Sequence, residues 1–122
     1  GQSIIYYSSC ELFRVISSYT YAKDKENANN FMNGLYSCDL LIIDDLGTEF
    51  VNEFVRDQLL NIINERRIRQ KSIIISTNLT LEQIRTNYTD RVLSRIYETY
   101  EIIKLSTFKD IRLQKKLELK EY

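Results

Sequence analysis

Short apolar runs alternate with amphipathic stretches along this 122-residue chain, and this alternation restricts its fold more than any other feature. The apolar runs have the length of strands, while the stretches between them place apolar residues three and four positions apart, as on one face of a helix. No tight hairpin sequence separates neighbouring strands. Strand, helix, strand and helix in succession predict βαβ units, and therefore an α/β fold with a mostly parallel sheet and helices on both faces.

The individual elements are predicted from the same pattern. Apolar runs predict four strands, at residues 3–8, 39–44, 72–77 and 100–106. Helical spacing predicts six helices, at residues 10–22, 29–37, 52–67, 78–88, 89–98 and 109–122. The polar stretch 23–30 is predicted to be a loop. Hydroxyls can accept hydrogen bonds from the free amides at a helix start. The predicted N-caps of this kind are Ser8 or Ser9, Thr80 and Thr89.

Charge and composition disfavour several classes of function. Seventeen basic residues balance seventeen acidic ones, which argues against binding nucleic acid by bulk charge alone, although a local basic patch stays open. The sequence contains no histidine, so Ser-His-Asp chemistry is disfavoured. Carboxylate, amide and arginine chemistry remains, and it suits a metal-bound phosphate.

The cysteines and the apolar runs indicate the compartment. Cys10 and Cys38 lack the spacing of metal ligands, and we interpret them as reduced core residues, with a disulfide as the alternative. No apolar run approaches the roughly 18 residues of a membrane span, and the start lacks the charged leader of a signal peptide. We therefore expect a cytoplasmic protein with no membrane partner. The chain begins almost directly with a strand and without Met, as a fragment of a longer protein would.

Two adjacent acids, Asp44 and Asp45, follow the apolar run LLII at the end of a predicted strand. Ligands of open parallel sheets bind beyond the carboxyl ends of the strands. Four apolar residues and then an acid is the pattern of a Walker B strand, whose first carboxylate holds Mg²⁺ in a nucleotide site. The alternatives are that these acids form a turn or cap the next helix, or that they belong to a phospho-acceptor domain.

Two further polar features follow in the sequence. Asn78 comes directly after the strand at 72–77, where an amide could orient a water or contact a terminal phosphate, although such an Asn often only forms a turn or a cap. Arg91 and Arg95 are four residues apart, so they lie on one face of a short helix. Such a pair can be an ordinary solvent-exposed feature, or it can stabilise transition-state charge in a neighbouring subunit.

Four motifs in order carry a resemblance to a known family. They are LLIIDDLGTE, IIISTNLTLEQI, DRVLSRIYE and TFKDIR. Together they resemble the AAA+ ATPase domain of the bacterial replicative-helicase loaders DnaC and DnaI, which are related to the transposition helper IstB. The opening GQSIIYYSSCELF is similar to the family's second strand and the helix after it. The resemblance covers essentially the whole chain, and it implies a P-loop NTPase fold, a three-layer αβα sandwich.

The resemblance implies roles for the acids and the amide. Asp44 would be the Walker B ligand of Mg²⁺. Asp45 would polarise the attacking water, at a position where many AAA+ proteins have Glu, and Glu49 would assist if the shorter Asp45 does not reach. Asn78 would be the sensor-1 residue, which contacts ATP and takes part in its hydrolysis.

The resemblance also implies roles for basic residues. Arg95 would be the arginine finger donated to the adjacent protomer, and Arg91 a neighbouring phosphate or interface contact. In the sensor-2 region the family usually has Ser-Tyr-Arg, whereas this chain has Thr-Phe-Lys, ending at Lys109 with Arg112 a turn later. Lys109 keeps the charge but loses the bidentate fork of arginine, which weakens the assignment of both residues to nucleotide binding.

The largest departure from the family is the missing phosphate loop. No G-x-x-x-x-G-K-[ST] occurs in the chain, and in the family this motif lies just upstream. Residues 1–122 would therefore be the C-terminal part of one AAA+ domain, from its second strand onward. We expect this piece alone to show no ATPase activity and only weak nucleotide affinity. The missing strand would leave a gap in the sheet, so the strand at 100–106 would pair elsewhere, the piece would be marginally stable, or its edge would pair between chains.

The function implied by the resemblance is helicase loading. ATP and Mg²⁺ at protomer interfaces would organise an oligomer that binds single-stranded DNA and places the replicative DNA helicase on it. The alternatives are an IstB-like transposition helper and a non-catalytic interaction module on the same fold. DNA contacts are poorly marked, since Lys23 and Lys25 alternate with acids. The densest basic cluster is formed by Arg66, Arg67, Arg69 and Lys71.

Overall fold

The computed structural model describes residues 2–47 and 49–101. In chain order its elements are β1 (Ile4–Ser8), α1 (Ser9–Thr20), α2 (Lys25–Ser37), β2 (Leu40–Leu46), α3 (Glu53–Ile68), β3 (Ser72–Thr77), α4 (Leu81–Tyr88) and α5 (Asp90–Thr99). The predicted strand at 100–106 lies outside the described residues apart from its first two positions. The predicted helix at 109–122 lies wholly outside them.

The three described strands form one parallel sheet in the order β1-β2-β3. Leu41 pairs with Ile5 on one side and with Ile73 on the other, and Ile43 pairs in the same way with Tyr7 and Ile75. The pairing of β2 with β3 is irregular between Ile43 and Leu46. The prediction of an α/β fold with a parallel sheet is therefore confirmed, and the carboxyl ends of all three strands meet at one edge.

One face of this sheet carries the hydrophobic core. Leu41 and Ile43 are fully buried there, and α1 packs on β2 while α3 packs on β3. The other helices complete the layer, because α2 contacts α1 and α3, and α5 contacts α3 and α4. The core residues from the helices include Leu12, Ile16, Leu35, Leu59, Ile62 and Ile63.

The opposite face of the sheet is exposed in the described part of the chain. Ile4, Tyr6 and Ile74 are 63%, 58% and 53% exposed. The continuous apolar run of β3 is typical of a strand buried on both faces, and for Ile74 that expectation is wrong. A run of apolar residues is compatible with burial on both sides of a strand, but it does not show that a helix or another strand covers the second side.

The start of α2 differs from the predicted loop at 23–30. Asp24 accepts a hydrogen bond from the Asn27 backbone amide at 3.1 Å, which is the N-cap interaction of a helix that begins at Lys25. The polar residues of this stretch therefore form the first turns of α2. The sequence pattern missed this start because the first turns of α2 bury no apolar stripe.

The other predicted N-caps differ in whether their side chains make the capping hydrogen bond. Ser8 caps α1, and Thr80 forms a reciprocal capping box with Gln83 on α4. Thr89 occupies the N-cap position of α5 but makes no side-chain cap hydrogen bond.

Both cysteines are free thiols, and Cys38 is buried. Cys10 is exposed, so its predicted place in the core is wrong.

None of the helices within residues 2–47 and 49–101 is long and apolar enough to cross a bilayer.

Candidate functional site

The carboxylate of Asp44 lies at the carboxyl end of β2 and is held by both neighbouring strands. The Tyr6 hydroxyl, from β1, donates a hydrogen bond to Asp44 Oδ2 at 2.6 Å. The Ser76 hydroxyl, from β3, donates to Asp44 Oδ1. These hydrogen bonds, with Ser76 contributing most, lower the pKa of Asp44 below its ordinary value. Asp44 is therefore an oriented anion at the edge where a parallel sheet binds its ligands.

Asp45 stands in an unusual backbone conformation directly after Asp44. Its φ is +56°, in the left-handed region that Asp tolerates better than most residues because its short side chain bonds locally. Its backbone amide donates to the Ser76 hydroxyl at 3.0 Å. The irregular pairing of β2 with β3 occurs at this point. Ser76 thus contacts both members of the acidic pair.

Asn78 lies at the same edge of the sheet. It follows β3 directly, two residues after Ser76, and it is exposed. The Thr77 hydroxyl donates to the Leu46 carbonyl at 2.6 Å, so the ends of β2 and β3 are joined just beside it. Asp44 and Asn78 therefore lie at one edge of the sheet. Their roles in nucleotide chemistry stay predictions.

Glu49 is buried in the loop between β2 and α3. Its Oε2 accepts hydrogen bonds from the Ser9 hydroxyl and from the Gly47 amide, the latter at 3.0 Å. Its Oε1 accepts from the Tyr88 hydroxyl on α4. Both carboxylate oxygens are therefore used to join three parts of the chain. An assisting role of Glu49 in catalysis stays a prediction, but the contacts described give it a structural one.

Arg91 and Arg95 line a groove along α5 with Asp90, Ser94 and Glu98. Arg91 lines a shallow groove with Glu53, Arg56 and Asp57 of α3, and Arg95 donates to Glu98 at 3.1 Å. None of the hydrogen bonds or ion pairs described for either side chain reaches the acidic edge. The arrangement does not join them to Asp44 within one chain, and their predicted contact with an adjacent protomer stays a prediction. Lys109 and Arg112 lie outside the described residues.

The basic cluster at the end of α3 is largely engaged within the molecule. Arg66 is fully buried, which excludes it from a DNA surface. Arg67 pairs with Glu98, Arg69 with Glu65, and Lys71 with Asp39. Although these last three side chains are partly exposed, their charge is balanced by neighbouring acids, so the cluster is not a strong basic patch.

Four residues of these networks were not singled out as site residues from the sequence. They are Tyr6, Ser9, Ser76 and Tyr88. Tyr6 and Ser76 carried a usable signal, because parallel pairing of three neighbouring strands places the ends of their segments beside Asp44. Ser9 and Tyr88 carried none, because they reach Glu49 through the packing of α1 and α4 and not through strand pairing.

The carboxylates at the acidic edge suit a Mg²⁺ ion that water and phosphates also bind better than a metal ion bound only by protein side chains. In the described part of the chain no three His, Cys, Asp or Glu side chains group as a metal cage. Mg²⁺ commonly takes one or two carboxylates and completes its shell with water and substrate phosphates. Asp44 accepts hydrogen bonds from Tyr6, Ser76 and the Asp45 backbone, while a carboxylate offers about four acceptor sites. Asp44 can therefore hold such an ion directly or through water.

A comparison with protein families decides the wider assignment. The family described as "IstB-like ATP binding protein" matches residues 1–118. The chain belongs to the IstB-like ATP-binding family. No curated protein matches this IstB-like chain.

Solved structures place the IstB-like chain among AAA+ folds. The DnaC helicase loader matches with a TM-score of 0.66 and 20% identity, over 81% of this chain and 58% of that one. AMPPCP-bound DnaA from Aquifex aeolicus matches with a TM-score of 0.74 and 24% identity, over 100% and 37%. A DnaA initiator bound to AMPPCP and single-stranded DNA matches with a TM-score of 0.69 and 25% identity, over 99% and 37%. The chain thus spans between about a third and three fifths of these proteins, and it has the fold of part of a P-loop NTPase.

Proposed function

We propose that this chain is part of an ATP-dependent helicase loader, in which the edge formed by Asp44, Asp45 and Asn78 faces the phosphates of ATP. The observation that carries the proposal is the held carboxylate of Asp44 at the carboxyl end of β2, with Asp45 and Asn78 at the same edge. Membership of an ATP-binding family supports the nucleotide. The fold shared with a helicase loader supports the biological role.

The proposed chemistry is hydrolysis of ATP to ADP and phosphate. Mg²⁺ would neutralise charge on the phosphates and help orient them. Asp44 would hold that ion through its carboxylate, which Ser76 and Tyr6 orient. Asp45 accepts a hydrogen bond from the attacking water and orients it, and Asn78 donates to a phosphate oxygen or to that water. Arg95 acts on the nucleotide of the adjacent protomer, so the active form is an oligomer.

The proposed partners are single-stranded DNA and the replicative DNA helicase. A DnaA initiator of similar fold has been solved with single-stranded DNA, and the DnaC protein is a helicase loader. The basic cluster at the end of α3 is not a strong basic patch, because Arg67, Arg69 and Lys71 are paired with acids. DNA contact would therefore need residues beyond this cluster.

The test uses the full-length protein. We expect Mg²⁺-dependent ATP hydrolysis that falls at least a hundredfold in Asp44→Ala, together with transfer of the helicase onto single-stranded DNA. Asp39→Ala is the matched control, because Asp39 precedes the opposite end of the same strand. Equal hydrolysis by wild type and Asp44→Ala would contradict the proposed site. Hydrolysis without helicase transfer would contradict the loader role alone.

A second candidate function is favoured by the family match. Because the matching family is IstB-like, the same ATPase core could remodel a transposase on duplex DNA. The two functions are separated by measuring which partner stimulates hydrolysis: single-stranded DNA and helicase for a loader, duplex DNA and transposase for a transposition helper.

A further inference from the structure

We infer that Tyr6 and Ser76 are positioning residues that hold the Asp44 carboxylate in one orientation toward a divalent cation. This inference rests on the proposed function, because it concerns the same carboxylate. It adds two residues, from the strands on either side of Asp44, that the family resemblance did not assign.

The geometry uses one hydroxyl for each carboxylate oxygen. Tyr6 donates to Oδ2 at 2.6 Å, and Ser76 donates to Oδ1. With both oxygens fixed from opposite sides, rotation of the carboxylate about its Cβ–Cγ bond would break both hydrogen bonds. A carboxylate offers about four acceptor sites, so these two hydrogen bonds and the one from the Asp45 backbone leave capacity for an ion or its water. Hydrogen-bond partners of this kind tune metal ligands in many sites.

Ser76 has a second connection that Tyr6 lacks. Its hydroxyl also accepts from the Asp45 backbone amide at 3.0 Å. Through this one side chain, β3 positions both acids of the pair, including the left-handed residue Asp45. Loss of the Ser76 hydroxyl should therefore disturb hydrolysis as well as metal binding, whereas loss of the Tyr6 hydroxyl should act mainly on metal binding.

The opposite end of β2 provides a matched arrangement away from the site. Asp39 accepts from the Ser3 amide at 2.8 Å and from the Ser3 hydroxyl at 3.4 Å, and its other oxygen accepts from Lys71 at 3.4 Å. There, too, an acid of the central segment bonds to both flanking segments. If hydroxyls beside these acids only support the sheet, then removing one at either end should have the same effect.

The exposure of Tyr6 argues for a role beyond folding. Its side chain is 58% exposed and belongs to the sheet face that the core does not use. Removing its hydroxyl leaves the ring in place and exposes Asp44 to solvent instead of burying an unsatisfied group. We therefore expect Tyr6→Phe to fold as the wild type does.

The test measures metal binding without turnover. Full-length protein with AMPPCP, which carries a non-hydrolysable phosphate bridge, is titrated with Mn²⁺ as a probe for Mg²⁺, and free Mn²⁺ is measured by electron paramagnetic resonance. We expect Tyr6→Phe and Ser76→Ala each to weaken Mn²⁺ binding about tenfold. Ser76→Thr should restore most of the affinity, because it returns the hydroxyl. The controls Ser3→Ala and Tyr21→Phe should bind Mn²⁺ as the wild type does.

The outcomes separate this inference from the proposed function. If Asp44→Ala loses Mn²⁺ while Tyr6→Phe and Ser76→Ala bind it normally, the positioning roles are wrong and the proposed site stands. If Asp44→Ala binds Mn²⁺ like the wild type, both fail. Should Ser76→Ala not fold, Tyr6→Phe alone decides, since thermal unfolding identifies a misfolded variant beforehand. An equal loss in Ser3→Ala would show a general effect on the sheet and would overturn the inference.

Discussion

Tyr88 on α4 donates its hydroxyl hydrogen to the carboxylate of Glu49, which lies in the loop after β2. Both residues are buried, and Glu49 also bonds to Ser9 at the start of α1. The loop that follows the acidic pair is thereby fixed to two helices. This places a structural anchor within five residues of Asp44, and it leads to the first two predictions.

Tyr88→Phe should destabilise the protein by about 1–3 kcal/mol, because it leaves a buried carboxylate oxygen without its donor. Urea unfolding of the wild type and the variant measures the difference. Tyr21→Phe is the matched control, since Tyr21 is 80% exposed, and it should change stability by less than about 0.5 kcal/mol. Equal effects of the two variants would show that the hydrogen bond to Glu49 contributes nothing measurable.

Stability should fall at alkaline pH, and Tyr88 should account for part of the fall. Burial, followed by the hydrogen bond and charge of Glu49, raises the pKa of Tyr88 above its ordinary value of 10.0. A group whose folded-state pKa is raised contributes its full stabilisation below the unfolded pKa, and that contribution is lost as pH rises from about 10 toward the folded value.

Unfolding free energies measured at successive pH values between about 8 and 11 test this expectation. Tyr88→Phe should show a shallower decline than the wild type. A decline should remain in the variant, because burial also raises the pKa of Tyr36 and of Tyr100. Identical slopes in the two proteins would contradict the assignment to Tyr88.

Replacement of Arg66 should lower the free energy of unfolding more than replacement of an exposed basic residue does. Its guanidinium is buried and donates to the carbonyls of Leu35, Cys38 and Ser72 at 2.6, 2.8 and 2.5 Å. Arg66→Met removes these donors and leaves buried carbonyls unsatisfied, so we expect a loss of about 3 kcal/mol in urea unfolding. Arg67→Met, one residue later and exposed, should cost about 0.5 kcal/mol or less. A small effect at Arg66 would mean that water replaces it.

Gln70→Gly should stabilise the protein. The amides of Gln70 and Lys71 donate to the carbonyls of Arg67 and Arg66 at 3.0 and 2.8 Å, which is the Schellman pattern at a helix end. Gln70 occupies its left-handed position with φ of +57°, where glycine has no Cβ penalty.

We expect a gain of about 1 kcal/mol for Gln70→Gly, measured as a rise in the urea midpoint at an unchanged slope. In the last turn of α3, where the backbone is helical, a glycine should act in the opposite direction. Arg67→Gly should cost about 1 kcal/mol, because there glycine only adds flexibility to the unfolded chain. Destabilisation by Gln70→Gly would contradict the strain assigned to that position.

The elements that local pattern defines were predictable. Six apolar or hydroxyl residues between polar neighbours gave β3 its observed bounds, 72–77, and α3 begins and ends within one residue of its prediction. The start of α2 was not predictable from apolar spacing, because its first turns are polar and only the cap at Asp24 marks them. Burial of Cys10 was wrongly expected, since its residue type favours the core but its position on α1 faces solvent.

The location of the candidate site was predictable from the sequence, but its hydrogen bonds were not. Parallel strands alone put Asp44 and Asn78 at one edge. Which hydroxyls reach Asp44 depends on strand register, and the burial of Glu49 depends on partners from α1 and α4 that are distant in sequence. Local pattern contains no information about such pairings, because they form only when the helices pack together.

Asp39 and Asp44, at the two ends of the apolar run of β2, also settle a question left open by its apolar residues. The run Leu-Leu-Ile-Ile of β2 could shift by one position against Ile-Ile-Ile of β3, and apolar residues would still pair with apolar residues. A shift of β2 by one position against both neighbouring strands would pull Asp39 away from Ser3 and Lys71 and, at the same time, pull Asp44 away from Tyr6 and Ser76. The hydrogen bonds of Asp39 and Asp44 therefore determine the register of β2, which the apolar residues between them do not determine.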